Sequence, residues 1–283
     1  MTTLIGTIEA VAKQLAASDV VFGHGTTNPW DEAVALVLGV TGLPDDQAAA
    51  DVEIDAEAAE RVALLARRRI DERVPVAYLM GSVTFYGRRF EVEPGIVIPR
   101  SPIAQLIERG FRPWLRNDPD SVVDVCTGTG CLGILCALAF PEATVTLVDV
   151  DPAAIALARR NVGLHGLESR VKVVTSDLFV DLEPARFDLI LSNPPYVDGA
   201  EMAALPPEYR HEPERGLAGG ADGLDLVVRL LESVPERLAP GGLFVCEVGA
   251  SAPALLARYP DTPFVWPDLP DGGEGVFMLE GGV

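Results

Sequence analysis

The chain has 283 residues, of which 48% are hydrophobic, and its 22 basic and 42 acidic side chains give a net charge of −20. This length predicts one large domain with a smaller partner. The sequence has no uninterrupted apolar run of membrane-span length, and its start lacks the basic and apolar regions of a signal peptide. We therefore expect no membrane association and a cytoplasmic location. The acidity argues against direct binding of nucleic acid and suits a basic protein partner, although solubility alone would also explain it.

The four cysteines are Cys126, Cys131, Cys136 and Cys246. They lack the closely spaced pairs of a zinc site and lie in apolar surroundings. The pattern predicts reduced core residues and no metal site.

Residues 1–73 have the pattern of a small helical domain. Apolar residues between Ile5 and Leu15 recur at helical spacing, and Asn28–Glu32 has the proline and acids that open a second helix. A third helix is predicted around Ala56–Ala66. No chemistry is visible in this region.

Two features of the helical region have a competing functional interpretation. The run Arg67–Arg69 could bind nucleic acid, but Asp71 and Glu72 follow it, and we interpret it as a solvated helix face. His24 lies between two glycines, which favours a turn or packing residue over a ligand.

Residues 74–100 predict a β-hairpin linker. The run Pro75–Gly81 leads into Val83–Val92, giving two β-rich runs around a glycine. Prolines then break the chain, and Ser101 is placed to cap a helix over Ile103–Arg109.

Residues 101–283 are predicted to form the larger domain. From Asp120 onward, strand and helix patterns alternate, which is typical of an α/β domain with a doubly wound parallel sheet. The predicted strands are Val122–Val125, Thr144–Val148, Val171–Thr175, Leu189–Ser192, Leu243–Glu247, Phe264–Trp266 and Val276–Leu279.

A glycine-rich stretch from Asp124 to Gly133 links the first predicted strand to an apolar helix. Glycines here let the backbone pass close to a ligand at the helix amino terminus. Asp149 ends the second strand, where its carboxylate can accept hydrogen bonds from two ribose hydroxyls. Asp177 follows the third strand and can accept from an adenine amino group. These positions predict a nucleoside cofactor at the carboxyl edge of the sheet.

The same stretch also fits another cofactor. Gly128, Gly130 and Gly133 match a dinucleotide-binding fingerprint, so an NAD-linked dehydrogenase fits this element equally well. Asp124 favours S-adenosylmethionine, because a carboxylate would repel a pyrophosphate and attract the sulfonium and amino group of that cofactor.

The apolar run Phe187–Ser192 ends abruptly on Asn193-Pro194-Pro195-Tyr196. Proline has no N–H, so the two prolines offer carbonyl acceptors without backbone donors, and Asn193 adds a side-chain oxygen. Such a corner can hold both N–H bonds of a substrate –NH2 group and leave the nitrogen lone pair aimed at an electrophile. Tyr196 supplies a flat wall beside it.

Together these motifs resemble the HemK-type protein glutamine methyltransferases. The resemblance spans the chain, and it is strongest to the branch that methylates the third protein of the large ribosomal subunit. The supporting stretches are Gly23–Ala33, Val97–Ile103, Glu208–Glu214 and Gly272–Met278. The glycine that usually starts the cofactor loop of this family is Cys126 here.

The resemblance implies a Rossmann-like class I methyltransferase domain preceded by a small helical domain, with S-adenosylmethionine as cofactor. It also implies a glutamine in a basic protein as substrate. The residues expected to bind the cofactor are Asp124, Cys126, Thr127, Gly128, Thr129, Gly130, Asp149, Asp177, Leu178 and Asn193. The residues expected to carry the chemistry are Asn193, Pro194, Pro195 and Tyr196.

Several rival functions remain. The same chemistry on peptide release factors would use the same corner, so substrate choice is expected to lie in residues 1–73, Arg100–Pro102 or Tyr209–His211. A DNA amine methyltransferase shares Asn-Pro-Pro-Tyr but ordinarily needs a basic surface or a target-reading segment. A binding protein without turnover is disfavoured by the intact Asp149 and Asn193. Tyr209, Arg210 and His211 could form a catalytic cluster, but nothing in their spacing requires a base, and we interpret them as a loop over the pocket that packs and orders on substrate binding. Arg100 is a weaker site candidate still.

Overall fold

Ten α-helices and eight β-strands form in the computed structural model, which describes residues 2–282. They fall into two units. The helical unit comprises residues 1–100 and 206–212, and the α/β unit comprises residues 101–205 and 213–283. None of the helices described is long and apolar enough to cross a membrane.

The helical unit is built on three helices that lie where the sequence predicts them: α1 (Leu4–Ala16), α2 (Pro29–Thr41) and α3 (Ala56–Asp71). Each begins at a polar residue whose side chain accepts a hydrogen bond from the first turn, as Asn28 does from the Asp31 N–H. Their apolar faces meet in one core that includes Leu15, Leu36 and Val62.

Arg69 departs from the sequence interpretation. It is only 1% exposed, whereas Arg67 and Arg68 are exposed. The helical period explains the difference, since Arg69 follows Leu65 by four residues and Val62 by seven, on the inward face of α3. The expectation of a solvated face is therefore wrong for this arginine, which pairs with Glu32 and Glu208 inside the helical unit.

The predicted hairpin forms from β1 (Ser82–Phe85) and β2 (Arg88–Glu91), which are antiparallel. The preceding run was expected to be β-rich, but it forms the short helix α4 (Val76–Met80), which ends at Gly81 in the left-handed conformation. Its residues Val76–Tyr78 are buried. The burial of these side chains in the helical conformation outweighs the weak β preference of the residues.

Residues 206–212 join the helical unit through two buried acids. A 3-10 helix spans Pro207–His211, and Glu208 is fully buried, accepting from the Val21 N–H at 2.9 Å and from Arg69 at 3.2 Å. Glu212 accepts from the Arg100 guanidinium at 2.5 and 2.6 Å. Burial raises the pKa of a carboxyl, but hydrogen bonds and charge from His24 and Arg100 lower the pKa of Glu212 to about 2.

The α/β unit contains a six-stranded sheet with the order β5-β4-β3-β6-β7-β8. The first five strands in this order are parallel, and β8 is antiparallel to β7. The strands are β3 (Ser121–Val125), β4 (Thr144–Asp149), β5 (Val171–Thr175), β6 (Phe187–Ser192), β7 (Leu238–Glu247) and β8 (Val276–Glu280). The helices of this unit are α5 (Ile103–Glu108), α6 (Cys131–Ala139), α7 (Pro152–Leu164), α8 (Gly199–Ala204), α9 (Asp225–Arg237) and α10 (Ala252–Arg258).

The strand order reverses direction between β3 and β6. The chain moves outward from β3 through β4 to β5, then returns to place β6 on the other side of β3. A crevice at the carboxyl ends of the strands is the usual ligand site of such a sheet. The predicted doubly wound sheet is confirmed, and its switch point lies where the two key motifs follow their strands.

Two details of the sequence prediction are corrected. Phe264–Trp266 is no strand but makes a single bridge, in which Val265 exchanges two backbone hydrogen bonds with Met278. Pro263 and Pro267 flank it and lack the N–H groups that a longer ladder needs. Among the cysteines, three are buried as expected, but Cys126 is partly exposed.

Candidate active site

The loop after β3 is held against the end of β4 by backbone contacts. The Thr127 N–H donates to the Val148 carbonyl at 3.0 Å, and the Gly128 N–H donates to Asp149 Oδ2 at 2.9 Å. Cys126 has a φ of 63°, the left-handed region that glycine adopts most easily. This conformation suits the glycine expected at this position better than a cysteine.

Asp124 lies beneath this loop and is only 1% exposed. Its Oδ2 accepts from the Thr127 hydroxyl at 2.5 Å and from the Gly133 N–H at 3.0 Å. Burial raises the pKa of Asp124 to about 7, against the lowering effect of these two hydrogen bonds. A raised pKa opposes the full negative charge that the sequence led us to expect at Asp124, and with it the repulsion of a pyrophosphate.

Gly133 allows α6 to pack closely on the sheet. A Cβ at this position would lie 2.1 Å from Leu147 Cδ2 and 3.1 Å from the Asp124 Cβ. A side chain there would push α6 away from β3 and β4. The third glycine of the motif therefore serves helix packing.

Asp149 ends β4 with its carboxylate facing the loop. Oδ2 accepts from the Gly128 N–H, and Oδ1 accepts from the Asp151 N–H at 2.9 Å. Burial raises its pKa, partly offset by these backbone donors. Each oxygen accepts one of these two bonds, and a carboxylate oxygen can accept more than one. The carboxylate of Asp149 therefore has lone pairs left to accept further hydrogen bonds, as from a pair of ribose hydroxyls.

Ser176, Asp177 and Leu178 follow β5 at the same edge of the sheet. Ser176 and Leu178 are buried, whereas Asp177 is exposed and accepts from Arg229 of α9 at 2.8 Å. A surface cavity of about 320 Å³ lies between Asp177–Val180 and residues 229–237 of α9. Asp177 thus lines the cavity next to the end of β5, and one of its carboxylate oxygens also accepts the hydrogen bond from Arg229.

Asn193 follows β6 at the switch point. The neighbouring Ser192 lies opposite Val125 in the β3–β6 register, and its hydroxyl donates to the Val125 carbonyl at 2.8 Å. Asn193 is partly exposed, and its side chain has no hydrogen-bond partner within residues 2–282. Pro194 is buried, and Pro195 is half-buried. The corner therefore presents free polar acceptors next to the loop that begins at Cys126.

Tyr196 is linked to Ser101 through Glu247, a residue that the sequence reasoning did not assign to the site. Its hydroxyl donates to Glu247 Oε1 at 2.6 Å, and the other oxygen of Glu247 accepts from the Ser101 hydroxyl at 2.6 Å. Ser101 was predicted as a helix cap, and its oxygen does accept a 3.3 Å bond from the Ile103 N–H. Glu247 ends the predicted strand in the same way as Asp149 ends β4, and that pattern was the signal available in the sequence.

The candidates for substrate choice are divided between the units. Arg100, Tyr209 and His211 belong to the helical unit, where Arg100 lies 5.5 Å from the Tyr209 ring centre and His211 Nε2 lies 2.9 Å from the Glu72 carbonyl oxygen. His24 is buried, and its ring packs against that of Tyr209 with centroids 4.4 Å apart and planes tilted by 54°. His24, Arg100 and His211 therefore each have contacts within the helical unit, and the interpretation of Tyr209–His211 as a substrate-ordered loop stays a prediction.

Comparisons with known proteins find similar sequences over most of this chain. The Methyltransferase small domain family matches residues 112–205, which include the glycine-rich loop, Asp149 and Asn193–Tyr196. A Bordetella pertussis protein named ribosomal protein uL3 glutamine methyltransferase is 44% identical over 99% of this chain and 95% of its own length. A Francisella tularensis protein of the same name is 40% identical over 94% of this chain and 86% of its own length.

Among solved structures, the catalytic domain of human Mettl16, determined with an RNA hairpin, superposes with a TM-score of 0.56. It is 16% identical, and the match covers 87% of this chain and 92% of that one. At this identity the likeness concerns the fold alone, and it supports a class I methyltransferase fold.

Proposed function

Because the chain belongs to the family of ribosomal protein uL3 glutamine methyltransferases, we propose that it methylates the side-chain amide nitrogen of one glutamine in large-subunit ribosomal protein uL3. It is an S-adenosylmethionine-dependent methyltransferase, and the resemblance seen in the sequence is confirmed. The observation that carries the proposal is the unbonded, partly exposed side chain of Asn193 beside the buried Pro194 at the switch point. We place this activity in the cytoplasm.

The residues around the glycine-rich loop suit an adenosine-containing cofactor. Asp149 offers a carboxylate that the backbone N–H groups of Gly128 and Asp151 already orient. Gly128 and Gly130 have φ values of 55° and 84°, the left-handed region that glycine adopts most easily, and the turn carries no side chain at either position. Asp177 and Leu178 border the open side of the strand end. S-adenosylmethionine supplies an electrophilic methyl carbon when bound.

Asn193 and Pro194 prepare the nucleophile. The amide nitrogen of glutamine reacts poorly, because its lone pair is delocalised into the carbonyl. The Asn193 side-chain oxygen and the Pro194 carbonyl accept the two N–H bonds, which favours a tetrahedral nitrogen with its lone pair directed at the methyl carbon. Tyr196 packs beside the amide, where its ring face favours the positive charge that develops on nitrogen.

Proton removal needs no dedicated base. Methylation leaves a positively charged amide nitrogen, and a proton on such a nitrogen is acidic enough to pass to water. This is compatible with the contacts of His24 and His211 within the helical unit.

A labelling experiment tests the proposed substrate. Purified enzyme and S-adenosylmethionine labelled in the methyl group are incubated separately with free uL3, with peptide release factors and with DNA. We expect label only in uL3, on one glutamine mapped by mass spectrometry, and none with the Asn193→Ala variant. Labelling of a release factor with uL3 left unlabelled would overturn the substrate assignment and leave the glutamine chemistry standing. Labelled DNA would overturn the substrate class.

A salt series tests the charge argument. The net charge of −20 should speed encounter with a strongly basic ribosomal protein. The second-order rate constant is expected to fall as salt rises, since the Debye length is about 10 Å at 0.1 M and shortens further above that. A rate independent of salt would show that charge does not select the substrate.

A further inference from the structure

Tyr196 is enclosed by glycines on several sides. A Cβ on Gly249 would lie 2.5 Å from the Tyr196 ring, so only glycine leaves room for the ring in this position. A Cβ on Gly219 would lie 2.7 Å from the Tyr196 Cα, and one on Gly223 would lie 2.2 Å from its carbonyl oxygen. The same carbonyl accepts from the Ser251 hydroxyl at 2.9 Å. The backbone of Tyr196 and one face of its ring are therefore fixed by close packing.

The hydroxyl end of the Tyr196 side chain is held by Glu247. The carboxylate is 5% exposed and accepts from two hydroxyls, Tyr196 on Oε1 and Ser101 on Oε2, each at 2.6 Å. These lengths fall in the range of about 2.5–2.7 Å that hydroxyl-to-carboxylate hydrogen bonds show. Ser101 is itself only 3% exposed. The three side chains form a continuous hydrogen-bonded chain, Ser101 to Glu247 to Tyr196.

The sheet register places Glu247 beside the acceptor corner. Cys246 pairs with Ser192 across β7 and β6, so the next residues along the two parallel strands, Glu247 and Asn193, are level with each other. Glu247, the last residue of β7, thus lies level with the start of the motif Asn193–Tyr196.

A second layer supports this chain of residues. A Cβ on Gly275 would lie 2.2 Å from the Gly249 carbonyl oxygen, so the loop before β8 backs the residue that contacts the Tyr196 ring. Gln105 on α5 holds that loop, donating to the Gly272 carbonyl at 2.7 Å and accepting from the Asp271 N–H at 3.1 Å. Two of the stretches that carry the family resemblance, around Ser101 and Gly272–Gly275, therefore converge on Tyr196.

Stability alone gives little reason for a carboxylate at this place. Taking a charge out of water is unfavourable, and replacing buried polar or charged groups by well-packed apolar ones is often neutral or stabilising. What the carboxylate adds is direction, because its two oxygens fix the hydroxyls of Tyr196 and Ser101 at defined points.

We propose that Glu247 is a positioning residue for methyl transfer: anchored by Ser101, it holds the ring of Tyr196 in the orientation that the reacting amide requires. This inference rests on the proposed function, since it assigns Glu247 an effect on the same amide corner. Glu247 acts through Tyr196 and touches no reacting atom.

The test compares Glu247→Leu, Glu247→Gln, Tyr196→Phe and the double variant Glu247→Leu/Tyr196→Phe, with kcat measured on the substrate that the wild-type enzyme labels. We expect Glu247→Leu to lower kcat at least about tenfold, with the KM for S-adenosylmethionine changed less than about twofold. Gln, which keeps an acceptor for the tyrosine hydroxyl, should recover most of the lost kcat. The double variant should lose no more than the more impaired single variant, because both changes remove one interaction.

Asp188→Asn is the matched control. Asp188 also accepts from a serine hydroxyl, that of Ser121 at 2.8 Å, but at the amino-terminal end of the sheet, and this variant should keep wild-type kcat. Losses in Glu247→Leu and Tyr196→Phe that multiply in the double variant would overturn the coupling. Wild-type kcat in Glu247→Leu would overturn the role of Glu247. Failure of the wild-type enzyme to methylate any glutamine would instead overturn the proposed function. If Glu247→Leu does not fold, Tyr196→Phe removes the same hydrogen bond from the other side and should lower kcat, and wild-type kcat in Tyr196→Phe would overturn the proposal.

Discussion

Replacing Asp124 by asparagine is expected to stabilise the α/β unit at neutral and higher pH. The folded protein raises the pKa of this carboxyl from its ordinary value of 3.8 to about 7 by burial. Between these values the folded state binds a proton that the unfolded state has lost, so stability falls as pH rises through this window and is constant above it. A pKa difference of this size between the folded and unfolded states corresponds to about 4 kcal/mol in the free energy of unfolding.

Asparagine can keep the local contacts. One atom of Asp124, Oδ2, accepts both the Thr127 hydroxyl and the Gly133 N–H, and a single amide oxygen can accept both in the same place. The asparagine has no proton to lose. Its unfolding free energy should match that of the wild type near pH 4 and exceed it by up to about 4 kcal/mol near pH 8.

Denaturation in urea from pH 4 to pH 8 measures the difference. Both proteins carry Trp30→Phe, a change at a side chain that is 44% exposed, so that Trp114 and Trp266 report on the α/β unit alone. The difference between the two proteins should grow by up to about 1.4 kcal/mol per pH unit within the window. Parallel stability profiles over the whole range would refute a raised pKa at Asp124.

The affinity of the wild type for S-adenosylmethionine should rise with pH, whereas its stability falls. A cation binds the ionised carboxylate better, so calorimetric affinity of the wild type for S-adenosylmethionine should rise with pH up to about 7 and then level off. The Asp124→Asn variant should bind more weakly at pH 8 and show a flat profile. Equal affinity of the two proteins at pH 8 would show that Asp124 serves the loop and not the ligand.

Three further substitutions test separate parts of the site. Asp149→Ala should weaken S-adenosylmethionine binding in calorimetry, because two hydroxyl-to-carboxylate hydrogen bonds of roughly 1.5–3 kcal/mol each are lost; unchanged affinity would remove the ribose assignment. Asn193→Ala should lower turnover by orders of magnitude and leave cofactor affinity nearly intact, and normal turnover would contradict the mechanism. Gly133→Ala should destabilise the protein by about 1–3 kcal/mol in thermal or urea unfolding, because its Cβ meets Leu147, and Leu147→Val should recover part of the loss. An additive double variant would show that the two positions do not clash.

The local elements and the acceptor corner could be predicted from the sequence, because their causes are local. Capping residues such as Asn28 and Asp55 mark helix starts, and apolar runs bounded by turn residues mark the parallel strands. The carboxyl ends of parallel strands meet at one edge of a sheet, so the sequence alone was enough to assign Asp149 and Asn193 to the same region. Their assignment to cofactor and substrate stays a prediction.

Only the tertiary structure decided the raised pKa of Asp124, the ion-pair partners of Arg69 and the hydrogen-bonded chain from Ser101 through Glu247 to Tyr196. Each depends on what distant segments bring to the same place. The pKa of Asp124 depends on complete removal from water beneath the loop, and Arg69 on acids more than 30 residues away in sequence. Glu247 lies 146 residues from Ser101 and 51 from Tyr196. The helical period could place Arg69 on the inward face of α3, and the strand pattern could place Glu247 at a strand end. The partners of these side chains and their desolvation arise from packing between distant segments.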